Sequence, residues 1–571
     1  MRKLLLLLLL SVSFLLKAQS PDIEWQKFYG TAHSEGIESI QQLPDGGYIM
    51  VGTFFNYRTS YKVMRTDASG TSLWEKYYYG DNNDYLHSVG LTAAGGYVLG
   101  GYSNSGINND KTQASYGGTD AWFIWLDADG TIIKDKTYGG DATERIASIQ
   151  QTSDGGYVAG GTSFSGVSGM KSSANYGAGD YWIIKMDSLG NLLWEKSFGG
   201  DGEDELEHLQ QTSDGGYILG GYTNSGISGN KTTATMGVID YWIVKLDAAG
   251  NMEWQQSFGG NDMDFLLTLQ QTDDGGYIMG GESLSPQSGH KTQDAILETG
   301  DFWVIKTDAL GQLEWEKTIG GNGDDQLMTL VQSRDGGYLL GGQSDSGIYG
   351  DKTENNISSF DWWVVKLDAC GAVQWDKTIG TALEDYISSV IETSDGGYLL
   401  GGHSGFFDNP AEDGFNNGAY DFYSVKLAGC AASYAEQNLS VCGAYSSPCG
   451  KIFDQSGSYQ IALTNANGCD SLITLYLTVN EEPSDQIIPM GAGLMAVEDN
   501  ATYQWINCAD NLPVAGAFDQ QFYPDQSGSY AVEISKNGCT QLSICESYQA
   551  AAVQLGATVF TNFHGVATAL V

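Results

Sequence analysis

The chain has 571 residues, with 70 acidic against 27 basic side chains and a formal net charge of −43. So acidic a surface repels phosphodiester backbones and anionic lipid heads, which excludes nucleic acid as a partner. Gly accounts for 77 residues and Pro for only 9, a balance that favours many tight turns between strands over a Pro-rich disordered stalk.

Met1 to Gln19 combines a basic start, a Leu-rich run from Leu4 to Leu16 and the small residue Ala18. This reads as a secretory signal peptide over residues 1–18, because the apolar run is too short to span a bilayer and a small residue closes it. Its loss removes Arg2, Lys3 and Lys17 and leaves a net charge of −46. No later stretch approaches the ~20 apolar residues of a transmembrane segment. The expected location is therefore secreted, extracellular or outer cell surface.

Residues 19–428 carry an internal repeat. DGGY-type turns place Tyr48, Tyr97, Tyr157, Tyr217, Tyr277, Tyr338 and Tyr398 at intervals of 49, 60, 60, 60, 61 and 60 residues. Residues 198–260 show one unit clearly: strands over 205–212, 217–222, 240–247 and 251–258, joined by Ser213-Asp214-Gly215-Gly216 and Asp247-Ala248-Ala249-Gly250 turns. The third strand holds Tyr241, Trp242, Ile243 and Val244 in a row and so expects burial on both faces. Repeats that cannot bury their own faces must stack. The expected fold class is all-β, a seven-bladed β-propeller with four strands per blade. The last repeat ends on a third strand, 421–427, and Ile23 to Gly30 is a fourth strand without a blade. Pairing of the two would close the ring and remove its free edges.

Four-strand regularities follow. Trp25, Trp74, Trp194, Trp254, Trp315 and Trp375 occupy one fourth-strand position, with Lys134 in its place in one repeat. Each is expected to dock on the neighbouring blade, burying ~150–250 Å². Six repeats carry about 11 extra residues between strands two and three, and the loop face built by segments such as Asn224 to Lys231 and Ser344 to Lys352 is the expected recognition surface. One acid begins every first strand: Glu35, Asp84, Glu144, Asp204, Asp264, Asp325 and Asp385. Such a ring could recruit a structural cation such as Ca²⁺. Alternatively each acid accepts backbone N–H bonds or pairs with a repeated third-strand base, among Arg65, Lys185, Lys245, Lys306, Lys366 and Lys426. No catalytic residue and no other cofactor is expected: the six histidines are scattered, His208 standing where other repeats have Ser or Thr, and no P-loop or nucleophile elbow is present.

The combination of D-[YFW]-W-[IV]-[IV]-K, LDxxGNxxW and SDGGYIxGG over residues 22–428 resembles the tandem propeller repeats of exported proteins of the type IX secretion class. That resemblance implies architecture and passage through a secretion machinery, and no catalytic residues. Seven of the eight cysteines lie beyond residue 429. Residues 430–480 and 484–548 resemble short Ig-like modules, with Trp505 as the core residue of the second, and the resemblance pairs Cys442 with Cys469. Residues 549–571 resemble the start of a type IX sorting domain, truncated or degenerate, with Thr561-Asn562-Phe563 where the family opens with Pro-Asn-Pro. The functional expectation is a non-enzymatic binding or adhesion protein whose loop face engages a glycan or extracellular protein. The alternatives are a carbohydrate-active enzyme with acids at the channel mouth, and a structural surface component.

Overall fold

The computed structural model describes residues 20–31, 33–405, 420–429, 433–446, 452–464 and 470–550. The chain divides into two compact units, Met1–Ala435 with Ile461–Leu472, and Glu436–Gln460 with Ile473–Val571.

The larger unit is built of four-stranded antiparallel sheets, each open, numbered here one to seven by first strands that begin at Ser34, Asp84, Glu144, Asp204, Asp264, Asp325 and Asp385. Sheet four comprises Asp204–Gln211, Tyr217–Thr223, Asp240–Leu246 and Met252–Phe258, within one residue of the sequence expectation at every end. Its third strand is buried at every position, as are those of sheets two, three, five and six. A single sheet covers one face of that strand; the next sheet covers the other. Trp242, for example, packs among Val158, Ile183, Leu206 and Leu219, residues of sheets three and four.

Consecutive sheets are joined in the same way. Ala93, Ser153, Ser213 and Asp273 donate their backbone N–H to the side chains of Gln151, Gln211, Gln271 and Gln332 at 2.6–2.9 Å. Arg334 N–H donates to Glu392 at 3.0 Å, and Ser394 N–H, in sheet seven, donates to Gln42 Oε1 of sheet one at 2.7 Å. At the remaining joint both partners are missing together: Pro44 has no N–H and Leu91 no acceptor. The fourth-strand tryptophans behave as expected. Trp25, Trp74, Trp194, Trp254 and Trp315 meet the turn tyrosine of the next sheet with ring centroids 5.7–6.3 Å apart.

Sheet seven takes its fourth strand from the other end of the chain. Ile23–Tyr29 pairs antiparallel with Tyr420–Leu427, from Ile23 opposite Leu427 to Tyr29 opposite Phe422. Ile37, Ile40 and Tyr48 of sheet one share a core with Leu399 and Phe422 of sheet seven.

In the smaller unit two sheets enclose Trp505, packed with Leu494, Ala496, Phe522, Tyr530, Val532 and Ile534. Among the described residues two disulfides hold it, Cys442–Cys539 and Cys508–Cys545. The pairing of Cys442 with Cys469 is therefore corrected. Cys442 ends the strand Ser433–Cys442 with its Cα 5.6 Å from that of Cys539, so the bridge links the two stretches read from sequence as separate modules. Cys469 lies outside the described residues, as does the tail from 551. No helix among the described residues is long and apolar enough to cross a membrane.

Deleting residues 20–30 is expected to expose the edge of Tyr420–Leu427 and to cause aggregation or loss of a cooperative melting transition. An unchanged melting curve of the monomer would show that the N-terminal strand contributes nothing to the fold.

Candidate functional site

The seven first-strand acids are brought to equivalent places and all are buried. Each of six is held by a backbone N–H donor. Backbone N–H groups of Gly80, Gly140, Gly200, Gly260 and Gly321 donate to Asp84, Glu144, Asp204, Asp264 and Asp325 at 2.7–2.8 Å, and Thr381 N–H donates to Asp385 at 2.6 Å. Hydroxyls of the long loops complete the shell: Ser105, Ser225, Ser285 and Ser346 donate to Asp84, Asp204, Asp264 and Asp325 at 2.8–3.0 Å. Among the described residues no three His, Cys, Asp or Glu side chains come together to hold a metal.

Of the two alternatives to a metal, the acids take the backbone N–H bonds, and the repeated third-strand bases do not meet them. Lys185, Lys245, Lys306, Lys366 and Lys426 bond instead to the turn carboxylates Asp154, Asp214, Asp274, Asp335 and Asp395, at 2.5–3.1 Å, and Arg65 to Asp45. Those turns lie at the opposite ends of the strands. The cations near the acids come from the long loops: Lys111, Lys171, Lys231, Lys291 and Lys352 are only 1–2 % exposed. Burial holds each of them below the ordinary lysine range, Lys352 at about 8. Sheet one has no long loop, and there Lys62 pairs with Glu35 at 2.5 Å from the third-strand position that holds Trp122 or Trp182 in other sheets.

A second acid, heading strand three, neighbours the first-strand acid of the following sheet: Asp120 with Glu144, Asp180 with Asp204, Asp240 with Asp264, Asp301 with Asp325. Burial first, and the facing carboxylate in addition, raise Asp120, Asp180 and Asp240 to about 6 and Asp301 to about 7.

The first strands neighbour one another from sheet to sheet, and that of sheet seven neighbours that of sheet one. Each has a β-bulge at its fourth acid-numbered position, leaving Glu38, His87, Ala147, Glu207, Leu267, Met328 or Ser388 unpaired and half-buried. A bulge re-aims its side chain. At this position the residues differ in kind from sheet to sheet. Burial raises Glu38 to about 8; burial with the charge of Glu205 raises Glu207 to about 7. Burial holds His87 and His208 near 4, so both rings are neutral at pH 7. His87 stacks on Tyr102 at 5.2 Å, and Arg145 lies 3.6 Å from Glu205. Period and patterning single out the positions that the repeats share, so Glu38, His87 and Glu207 do not stand out in the sequence. The signal was present: an acid or histidine on strand one in only two or three repeats.

Repeated four-stranded antiparallel sheets stacked in this manner define a β-propeller. No known family matches the chain as a whole or in part. The regulatory protein FlaEY of Caulobacter vibrioides is 26% identical over 163 residues, 27% of this chain and 17% of its own length, so the chain spans about a sixth of that relative. Among solved structures, YCF48 bound to D1 peptide matches 73% of this chain and 99% of its own, at 9% identity and a TM-score of 0.38. The Pan2 WD40 domain of Neurospora crassa matches 57% of this chain and 92% of its own, at 11% identity and a TM-score of 0.31.

The paired acids make stability depend on pH with a definite sign. Asp120, Asp180, Asp240 and Asp301 bind protons in the folded chain that the unfolded chain has released above about pH 4, so stability falls as pH rises from about 4 to about 7. The melting temperature is expected to be lower at pH 8 than at pH 5. Asp301→Asn, which supplies an N–H where two carboxylates face each other, should raise it at pH 8 and shrink the difference. An equal pH 5-to-8 drop in the variant and the parent chain would contradict the assignment.

Proposed function

We propose that the larger unit is a closed seven-bladed β-propeller and that the chain is an exported, extracellular or surface binding protein, with the smaller, disulfide-held unit as an Ig-like spacer. The closing strand Ile23–Tyr29 and the Ser394–Gln42 bond favour the ring. Two disulfides among the described residues accord with an oxidising compartment, and the resemblance to type IX secretion-class repeats supplies the export route.

One observation carries the binding reading. The long loops are pinned from below while their tips stay bare. Thr112, Ser172, Thr232, Thr292 and Thr353 donate backbone N–H to strand-four Asp135, Glu195, Gln255, Glu316 and Asp376 at 2.8–3.1 Å. Those same acceptors take the indole N–H of the buried third-strand tryptophans. Rigid loops with unsatisfied apolar tips are what a recognition surface requires, since little ordering entropy is lost on contact.

A second reading, a secreted carbohydrate-active enzyme, is favoured by Glu38, His87 and Glu207. A carboxyl protonated at pH 7 is the form a general acid needs, and these residues break the repeat in the innermost strands.

Presenting the full chain to a glycan and matrix-protein array, with and without calcium, distinguishes the two. Retained binding without turnover of any polysaccharide supports the first reading. Turnover that disappears in Glu38→Gln or Glu207→Gln, with melting temperature preserved, establishes the second in its place.

A further inference from the structure

The lysines of the long loops are the obvious cations of the loop face in the sequence, and the structure removes all five from the surface. What the tips present instead is an aliphatic side chain beside a carboxylate. Ile107, Val167 and Ile227, on the loops of sheets two, three and four, are 68–69 % exposed. Each is next to the residue that fixes the tip. Gly106 N–H donates to Asp81 Oδ1 at 2.8 Å, and Ser168 and Ser228 donate their hydroxyls to Asp141 and Asp201 at 2.7 Å. The three carboxylates are themselves exposed. The tips are closed by hydrogen bonds: Asn108 and Lys111, Ser168 and Lys171, and Ser228 and Lys231 form β-bridges. The turn residues Asn109, Gly169 and Gly229 have φ of 50°, 57° and 56°, and Tyr116 and Tyr176 pack against the two glycines where a Cβ would stand. In sheets five and six the couple is broken, with Gln287 and Asn261 in one and Ile348 beside Asn322 in the other. Among the described residues the aliphatic–carboxylate couple is thus found on the consecutive loops of sheets two, three and four.

Resting on the reading of the loop face as the recognition surface, we infer that the arc formed by Ile107/Asp81, Val167/Asp141 and Ile227/Asp201 docks a polypeptide segment carrying both cationic and aliphatic side chains. Three apolar tips gain by leaving water, and three carboxylates next to them require positive charge in whatever covers them. A neutral glycan brings no positive charge to the three carboxylates. A chain of net charge −43 also steers such a segment toward itself over many ångströms, more strongly at low salt.

The test uses the full chain and synthetic peptides in which Leu alternates with Lys, with Ser in place of Leu, or with Glu in place of Lys. The Lys–Leu peptide is expected to bind saturably and to weaken between about 50 mM and about 500 mM salt; the Glu–Leu peptide should not bind. The triple variant Ile107→Ser, Val167→Ser, Ile227→Ser should keep its melting temperature, since nothing buried changes, and lose roughly tenfold or more in affinity. The control Leu189→Ser, Leu310→Ser alters exposed residues in the Asp-x-x-Gly turns at the other ends of the strands and should leave binding unchanged. Equal binding of the Lys–Ser peptide, equal loss in the control variant, or no saturable binding of the Lys–Leu peptide would each overturn the inference. A glycan that binds the array undiminished by the triple variant would do the same while leaving the larger reading of a binding protein in place.

Discussion

Strand three of sheets two to six is buried along its whole length on both faces, and only a neighbouring sheet can supply the second cover. Every other regularity of the larger unit serves that contact. The turn tyrosine is where the fourth-strand tryptophan of the preceding sheet lands. The terminal Gln of strand one reaches the adjacent turn. The paired acids sit where backbone bonds such as Asp204 N–H to the Gly179 carbonyl stitch one sheet to the next. A first or last sheet without a neighbour would leave an apolar wall in water, which is why the N-terminal strand belongs with the C-terminal sheet.

The departures from the repeat are as informative as the repeat, because they come in matched sets. Where Lys134 replaces the fourth-strand tryptophan, its cross-strand partner is Trp125 in place of the usual base, and Trp125 meets Tyr157 at 5.4 Å as a tryptophan should. With the base gone from strand three, the turn carboxylate it would bind is gone too, Ala94 standing where other repeats carry Asp. Pro44 and Leu91 lack donor and acceptor at one and the same joint. Sheet one has neither a long loop nor its lysine, and Lys62 restores the missing charge beside Glu35. Each set removes an interaction whole. A half-removed buried bond would leave a desolvated partner, at a cost of about 1–3 kcal/mol.

This explains what was legible beforehand. Strand limits, turn positions and the partner of Ile23–Tyr29 follow from period and patterning, since every repeat reports the same local rule. Partner choice within a repeat does not. Lys185 and Lys171 are both conspicuous cations, and nothing in their spacing says that the first reaches a turn carboxylate while the second is sealed under a loop. Three-dimensional burial decides it. The bond from Cys442 to Cys539 escaped for a related reason, as a pairing across 97 residues depends on how strands pack and not on local spacing. Glu38, His87 and Glu207 escaped because the bulge position of the first strand follows no rule that the repeats share.

A scaffold whose packing positions are held so uniform separates structural from functional variation by its own construction. Where a side chain is required by the interfaces, all sheets agree or compensate in pairs. At the bulge and at the loop tips the sheets differ in kind: Glu38 against Leu267 in one place, Ile227 against Gln287 in the other. These differences gather on sheets one to four at the first strands and on sheets two to four at the tips. Among the described residues the same run of sheets therefore carries the ionisable bulge residues and the aliphatic–carboxylate couples of the tips. An uneven distribution of this kind is not needed to hold seven sheets together, and it is where a ligand would find a front and a back.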